Sequence, residues 1–339
     1  MPLLDTFGRP LSSLRVSVTD RCNLRCEYCM PEEEYAWLPR EDILSFEEIE
    51  RLVRAFVACG VTKVRLTGGE PLLRPELARL VERLAQMPEV EDLALTTNGV
   101  LLSDQARSLR SAGLRRITVS LDTLRPERFA QLSRRNFHAR VLEGLRAASE
   151  AFDSLRLDCV IIRGVNDDEP GALLDHARRL NAELRLIEYM DVAGATRWTP
   201  ERVVSRAEIL RNLEQSRGAV RSLGREGAET AERFTLTDGT VFGIIASTTE
   251  PFCRQCDRAR LSADGQWFRC LYATEGTALG SMLRSGATDN ELQETIVRHW
   301  RLRVDRGAEL RRSIAERRAF VPLEQLQQHP HWEMHKKGG

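Results

Sequence analysis

Six short runs of aliphatic and β-branched residues, at 14–18, 63–66, 93–95, 116–119, 157–162 and 184–187, alternate with five amphipathic patterns at 46–58, 75–86, 104–112, 139–152 and 170–180. This alternation predicts repeated βα units, and therefore an α/β fold built on a parallel sheet. Gly60 and Gly113 fall just past two of the helical patterns, where a left-handed cap is often needed. Pro75 and Pro170 open two others, where a missing N–H costs little. Every strand runs into polar residues, among them Thr19-Asp20-Arg21-Cys22, Gly68-Gly69-Glu70-Pro71, Thr96-Thr97-Asn98-Gly99, Ser120-Leu121-Asp122 and Glu188-Tyr189-Met190-Asp191. A barrel collects all such loops on one rim, whereas an open doubly wound sheet favours mainly its switch point. The expectation is a partial (β/α)6 TIM-like barrel whose open side is closed by the C-terminal region.

The rhythm changes after about residue 200. The Gly- and Arg-rich stretch 218–227 predicts a mobile loop, and 234–245, broken by Asp238-Gly239, predicts a hairpin. A cysteine-bearing stretch and a helical tail from residue 277 follow. The expected division is 1–230 for the barrel and 231–339 for the C-terminal region. Lys plus Arg and Asp plus Glu balance at 50 each, which argues against a dedicated nucleic-acid binder. No basic-then-apolar leader opens the chain and no run approaches membrane-spanning length, so the expectation is a cytoplasmic protein with no membrane partner. In a reducing compartment its eight cysteines are expected to be ligands, catalytic groups or core residues rather than disulfides.

Cys22, Cys26 and Cys29 form C-x3-C-x2-C directly after the first strand; Cys253, Cys256 and Cys270 form C-x2-C-x13-C. A structural zinc site wants four Cys or His ligands, and neither triplet has an obvious fourth nearby, although a distant one would satisfy it. The alternative is an iron–sulfur cluster at each triplet. Three thiolates on a four-iron cube leave one iron open to bind a substrate. Cys59 and Cys159 stand alone and are expected in the core.

With Tyr28 just before Cys29, the first triplet resembles the signature of the radical S-adenosylmethionine (SAM) superfamily, and Gly68-Gly69-Glu70-Pro71 resembles its SAM-binding motif. Over nearly the whole chain the resemblance narrows to the GTP 3′,8-cyclase family of molybdenum cofactor biosynthesis. It rests on Phe7-Gly8-Arg9, the run from Leu14 to Asn23, Arg65 to Pro71, Glu188 to Asp191, the run from Phe252 to Leu261, and the terminal Gly338-Gly339. The resemblance implies two 4Fe-4S clusters, SAM as cofactor and GTP as substrate. It implies an external electron donor and transfer of the product to cyclic pyranopterin monophosphate synthase, and a homodimer would match the family. It assigns all six triplet cysteines to the clusters. Tyr28, Gly69, Glu70, Ser120 and Met190 go to SAM, and Arg15, Arg65, Thr96, Arg156, Arg258 and Arg260 to GTP. Arg15, Gly338 and Gly339 are expected to be catalytic. Arginine suits the phosphate oxygens physically, through charge and paired donors.

Two positions depart from the family pattern. Arg156 stands where the family usually has Lys, and 193–198 lacks the usual Asn before Trp198. Two other readings compete. A different twin-cluster radical SAM enzyme, such as a peptide-modifying maturase, would cleave SAM indifferently to GTP. A zinc-stabilised scaffold or nucleic-acid module would carry zinc and bind nucleic acid in a salt-dependent way.

Overall fold

The computed structural model describes residues 2–338. Twelve strands form one sheet: β1 (Ser13–Ser17), β2 (Lys63–Thr67), β3 (Asp92–Thr97), β4 (Arg116–Ser120), β5 (Leu155–Ile161), β6 (Ala182–Glu188), β7 (Val220–Gly224), β8 (Glu232–Leu236), β9 (Val241–Ile245), β10 (Arg258–Leu261), β11 (Gln266–Phe268) and β12 (Thr277–Ala278). Their order is β12-β11-β10-β1-β2-β3-β4-β5-β6-β9-β8-β7. The first six strands are parallel neighbours in chain order. β10 adds in parallel beside β1, and β9 beside β6. Short antiparallel strands complete both edges.

Five inter-strand spacings separate β1 from β6, roughly 24 Å in a flat sheet at about 4.8 Å each. Yet Arg15 of β1 and Arg185 of β6 line the same cavity, so the sheet is rolled. Residues 246–257 run directly from β9 to β10, across the side that the six strands leave open. This is the predicted α/β fold on a parallel sheet, and its rolling is consistent with the expected partial barrel. The boundary at residue 230 falls between β7 and β8, which pair as a hairpin, so the two sequence regions share one sheet.

Eleven helices are described: α1 (Phe46–Ala58), α2 (Leu77–Ala85), α3 (Leu102–Ser111), α4 (Pro126–Ser133), α5 (His138–Ala151), α6 (Pro170–Arg179), α7 (Arg206–Arg217), α8 (Leu279–Arg284), α9 (Asp289–Arg301), α10 (Gly307–Arg312) and α11 (Leu323–Gln328). α1 shows why such segments fold: Ser45 and Glu48 form a capping box, and Ile49, Leu52, Val53 and Phe56 share a buried face. The outward side chains of the strands, such as Leu14, Val16, Val64 and Leu66, pack into one core with these helices. Cys59 and Cys159 lie in that core, and Gly60 and Gly113 adopt positive φ.

Several local expectations are corrected. The stretch 218–227 is not simply a loop, because β7 pairs there with β8. α2 starts at Leu77, not Pro75, because Glu76 takes a left-handed conformation first. The helical tail is interrupted into four short helices after a two-residue strand. α4 and α7 were not read from the sequence. Among the described residues, no helix is long and apolar enough to cross a membrane.

Candidate active site

The mouth of the rolled sheet holds a cavity of about 370 Å³, and all six triplet cysteines line it. All eight cysteines of the chain are free thiols. Cys22, Cys26 and Cys29 sit on the loop after β1. That loop is held by backbone bonds from Arg25 N to Ser133 O (2.9 Å) and Glu27 N to Leu132 O (3.0 Å), so the end of α4 braces it. Arg25 caps it with donors to the Cys22 and Leu24 carbonyls and lies over the Tyr35 and Trp37 rings. Burial pushes the Cys22 thiol up to about 11 and raises Cys26 and Cys29 as well. Metal ligands must be thiolates, so loading this triplet would release protons.

The Gly68-Gly69-Glu70-Pro71 turn docks on the same loop through Gly69 N to Thr19 O and Glu70 N to Arg21 O, both 2.8 Å. A Cβ at Gly69 would lie 2.3 Å from the Arg21 carbonyl oxygen. Glycine is therefore required for this backbone approach. Gly69, Ser120 and Met190 line the cavity, as does Tyr28, whose hydroxyl donates to Asp122 Oδ2 at 2.6 Å. Glu70 does not line it. Its Oε1 accepts from Leu72 N and Thr97 Oγ1, and its Oε2 from Asn98 N. The carboxylate ties the ends of β2 and β3 together behind the wall.

The inner face of the sheet is charged. Arg15 and Arg65 are side by side in the β1–β2 register, as are Arg15 and Arg260 in β1–β10, and Arg185 neighbours Asp158. All five line the cavity, with Arg258. Arg65 Nη1 donates to Thr96 Oγ1 (2.9 Å) and Thr118 Oγ1 (3.1 Å). Burial and neighbouring arginines lower Arg65 to about 9 and Arg260 to about 10, and Arg15 is lowered too. Such mutual repulsion is relieved by a polyanion. Arg156 is not brought here. It pairs with Glu229 at 3.3 Å, and Glu229 also accepts from Arg185 of the cavity floor at 3.0 Å. Asp122, Asp158 and Arg185 were missed. For Asp158 and Arg185 the signal available was a charged residue at an inward position of a parallel strand, a place usually filled by apolar side chains; Asp122 lies past the end of β4 and had only its place in a polar loop to mark it.

Cys253 and Cys256 lie on the crossing from β9 to β10, and Cys270 follows β11. Cys256 Sγ accepts from Arg258 Nη2 at 3.4 Å and Arg303 Nη2 at 3.3 Å. Burial would raise this thiol, but those two cations hold it down at about 6. Tyr272, two residues past Cys270, donates to Asp191 Oδ1 (2.9 Å), and Asp191 also binds Arg311 and Arg317. The loop after β6 is thereby fixed to the C-terminal region.

The tail is not frayed. Met334 N bonds Ala193 O at 2.9 Å, and Met334 and His335 line the cavity. Lys337, fully buried, donates to the Leu271 and Ala273 carbonyls. Gly338 reaches the mouth of β1 and β2, where a Cβ would lie 3.1 Å from Thr67 Oγ1. Gly339 lies outside the described residues.

Residues 16–177 match the family model "Radical SAM superfamily", and 182–309 match "Molybdenum Cofactor Synthesis C". The chain is 52% identical to "GTP 3′,8-cyclase 3" of Mycobacterium tuberculosis (strain CDC 1551 / Oshkosh), over 100% of this chain and 91% of that relative. It is 50% identical to "GTP 3′,8-cyclase" of Acidothermus cellulolyticus, over 91% of this chain and 89% of that relative. Among solved structures, Streptococcus suis SuiB bound to S-adenosylmethionine superimposes with a TM-score of 0.59. The match covers 90% of this chain and 68% of that one at 17% identity, a likeness of fold alone.

Proposed function

The chain belongs to the GTP 3′,8-cyclase family of radical SAM enzymes, and from that premise we propose that it converts GTP to (8S)-3′,8-cyclo-7,8-dihydroguanosine 5′-triphosphate in molybdenum cofactor biosynthesis. The observation that carries this reading is one cavity bounded by two cysteine triplets and floored by Arg15, Arg65, Arg185, Arg258 and Arg260.

The donor sets fit two 4Fe-4S clusters: each is three free thiols, leaving one iron open. Cys22, Cys26 and Cys29 would hold the cluster that binds SAM, and Cys253, Cys256 and Cys270 the one that binds guanine. When bound, the first cluster and SAM would supply a 5′-deoxyadenosyl radical able to abstract the ribose 3′ hydrogen, the hydrogen whose loss opens carbon 3′ to bonding with guanine carbon 8. The chain's own residues bind and orient. Tyr28, held by Asp122, with Gly69, Ser120 and Met190, forms the SAM wall. Arg15, Arg65, Arg258 and Arg260, with Thr96, neutralise and grip the triphosphate; Asp158 and Arg185 lie in register beside one another on the same floor. The tail, described as far as Gly338, covers the mouth and keeps the reacting groups enclosed.

An external donor supplies the electrons, the product passes to cyclic pyranopterin monophosphate synthase, and a homodimer is the assembly the family implies. The test is anaerobic SAM cleavage by iron-reconstituted protein. GTP should stimulate 5′-deoxyadenosine formation; cleavage indifferent to GTP would overturn the substrate while leaving the radical chemistry.

A further inference from the structure

The opening motif Phe7-Gly8-Arg9 plays no part in the cavity, yet it is tightly built. Asp5 Oδ1 accepts from Phe7 N and Arg9 N at 2.9 Å each, and Asp5 Oδ2 accepts from Arg9 Nε at 2.6 Å and Arg303 Nη1 at 3.4 Å. Asp5, Arg9 and Arg303 are all buried. This knot faces the second triplet from behind. Arg9 Nη1 donates to Cys253 O at 2.9 Å and to Asp305 O at 2.8 Å. Arg303 Nη1 donates to Cys256 O at 2.7 Å, and its Nη2 to Cys256 Sγ at 3.3 Å. Arg303 is held flat by the Trp300 ring, 4.4 Å away, and the Trp300 indole N–H donates to Arg9 O. Two segments distant in sequence, 5–9 and 300–305, thus converge on two cysteines of one triplet.

We propose that Arg303, oriented by Asp5 and braced by Arg9, sets the reduction potential of the second cluster. The proposal rests on the assignment of Cys253, Cys256 and Cys270 as cluster ligands. Reduction adds one electron to a site already negative from three thiolates. A fixed cation and an N–H···S bond to a ligand sulfur favour the more negative form, so they raise the potential. Arg258 also donates to Cys256 Sγ, at 3.4 Å. But Arg258 lines the cavity, where it is assigned to GTP, whereas Arg303 and Arg9 do not. Arg303 therefore keeps its bond whether or not substrate is bound. It is a positioning residue acting through Cys256, with two parallel donors that a lysine cannot reproduce.

The test is an EPR-monitored redox titration of the full chain carrying both clusters, with iron counted in each sample. Wild type should hold about eight irons. Arg303→Met should keep that number, move the second cluster's midpoint to a more negative potential and leave the first unchanged. Arg303→Lys, which keeps the charge but loses the paired donors, should fall between. If Arg303→Met does not load, Arg303→Lys carries the test through its lowered midpoint. Unchanged midpoints with full iron would overturn the proposal. So would loss of about four irons in both variants, since Arg303 would then serve assembly alone. A wild type holding only one cluster, or zinc, would instead overturn the ligand assignment on which the proposal rests.

Discussion

Arg260 donates a hydrogen bond from Nη1 to the carbonyl oxygen of Gly338, joining the tail to β10, the strand between Cys256 and Cys270 of the second triplet. A guanidinium assigned to the triphosphate is thereby in direct contact with Gly338, so the tail and the proposed substrate share a residue. Removing Gly338 and Gly339 should abolish cyclisation while leaving iron content and both cluster spectra intact. Full activity of the shortened chain would show that the contact is incidental.

Gly69→Ala should cost the first cluster specifically. The added Cβ would meet backbone atoms, Arg21 O at 2.3 Å and Asp20 O at 2.7 Å, and these cannot rotate away. The loop carrying Cys22, Cys26 and Cys29 must shift from the β2 turn. Iron should fall from about eight to about four per chain with the second cluster's signal retained; full iron with normal SAM cleavage would contradict this packing argument.

Arg65→Met and Arg156→Met should separate. Arg65 lines the cavity, and losing a charge-assisted hydrogen bond costs about 1.5–3 kcal/mol, which is roughly 10- to 150-fold in the Kd for GTP. Arg156 does not line the cavity, and its partner Glu229 stays bound to Arg185, so its loss should leave that Kd within about twofold. Calorimetric titration with GTP measures both; equal losses would place Arg156 in the site after all.

Tail docking should respond to pH through two opposed groups. Burial lowers His335 from 6.5 to about 3 and raises Glu333 from 4.5 to about 7. Docked His335 binds fewer protons than free, so it weakens docking as pH falls through 6.5. Docked Glu333 binds more protons than free, so it strengthens docking as pH falls from about 7 to 4.5. Between pH 4.5 and 6.5 the slopes, each at most about 1.4 kcal/mol per unit, oppose one another. Wild-type docking should be nearly flat there, His335→Phe should dock more tightly on acidification, and Glu333→Gln should release. Trp37, whose ring is 6.2 Å from His335, provides a fluorescence readout. A flat Glu333→Gln profile would contradict the assignment.

What the sequence revealed and what it hid have physical reasons. The six parallel strands were legible because each is a local apolar run closed by polar residues, and both triplets were legible from spacing alone. The partners of Glu70 and Arg156 were not legible because a motif gives a residue's neighbourhood but not what engages it. Thr97, Asn98 and Glu229, which engage them, come from other segments. Arg303 was invisible for the same reason: its bond to Cys256 spans 47 residues of chain, with no local pattern to mark it. β7 was hidden because Gly- and Arg-rich strands at a sheet edge lack alternation, and pairing with β8 supplies what propensity does not.

The central claim is that this cavity presents ribose carbon 3′ of GTP to a radical derived from SAM. The most direct measurement is to supply GTP deuterated at carbon 3′ to the anaerobic, iron-loaded protein and locate the label by mass spectrometry. The account predicts deuterium in 5′-deoxyadenosine, accompanied by a cyclised dihydro-GTP lacking it. Unlabelled 5′-deoxyadenosine, with the deuterium retained in GTP, would contradict the account.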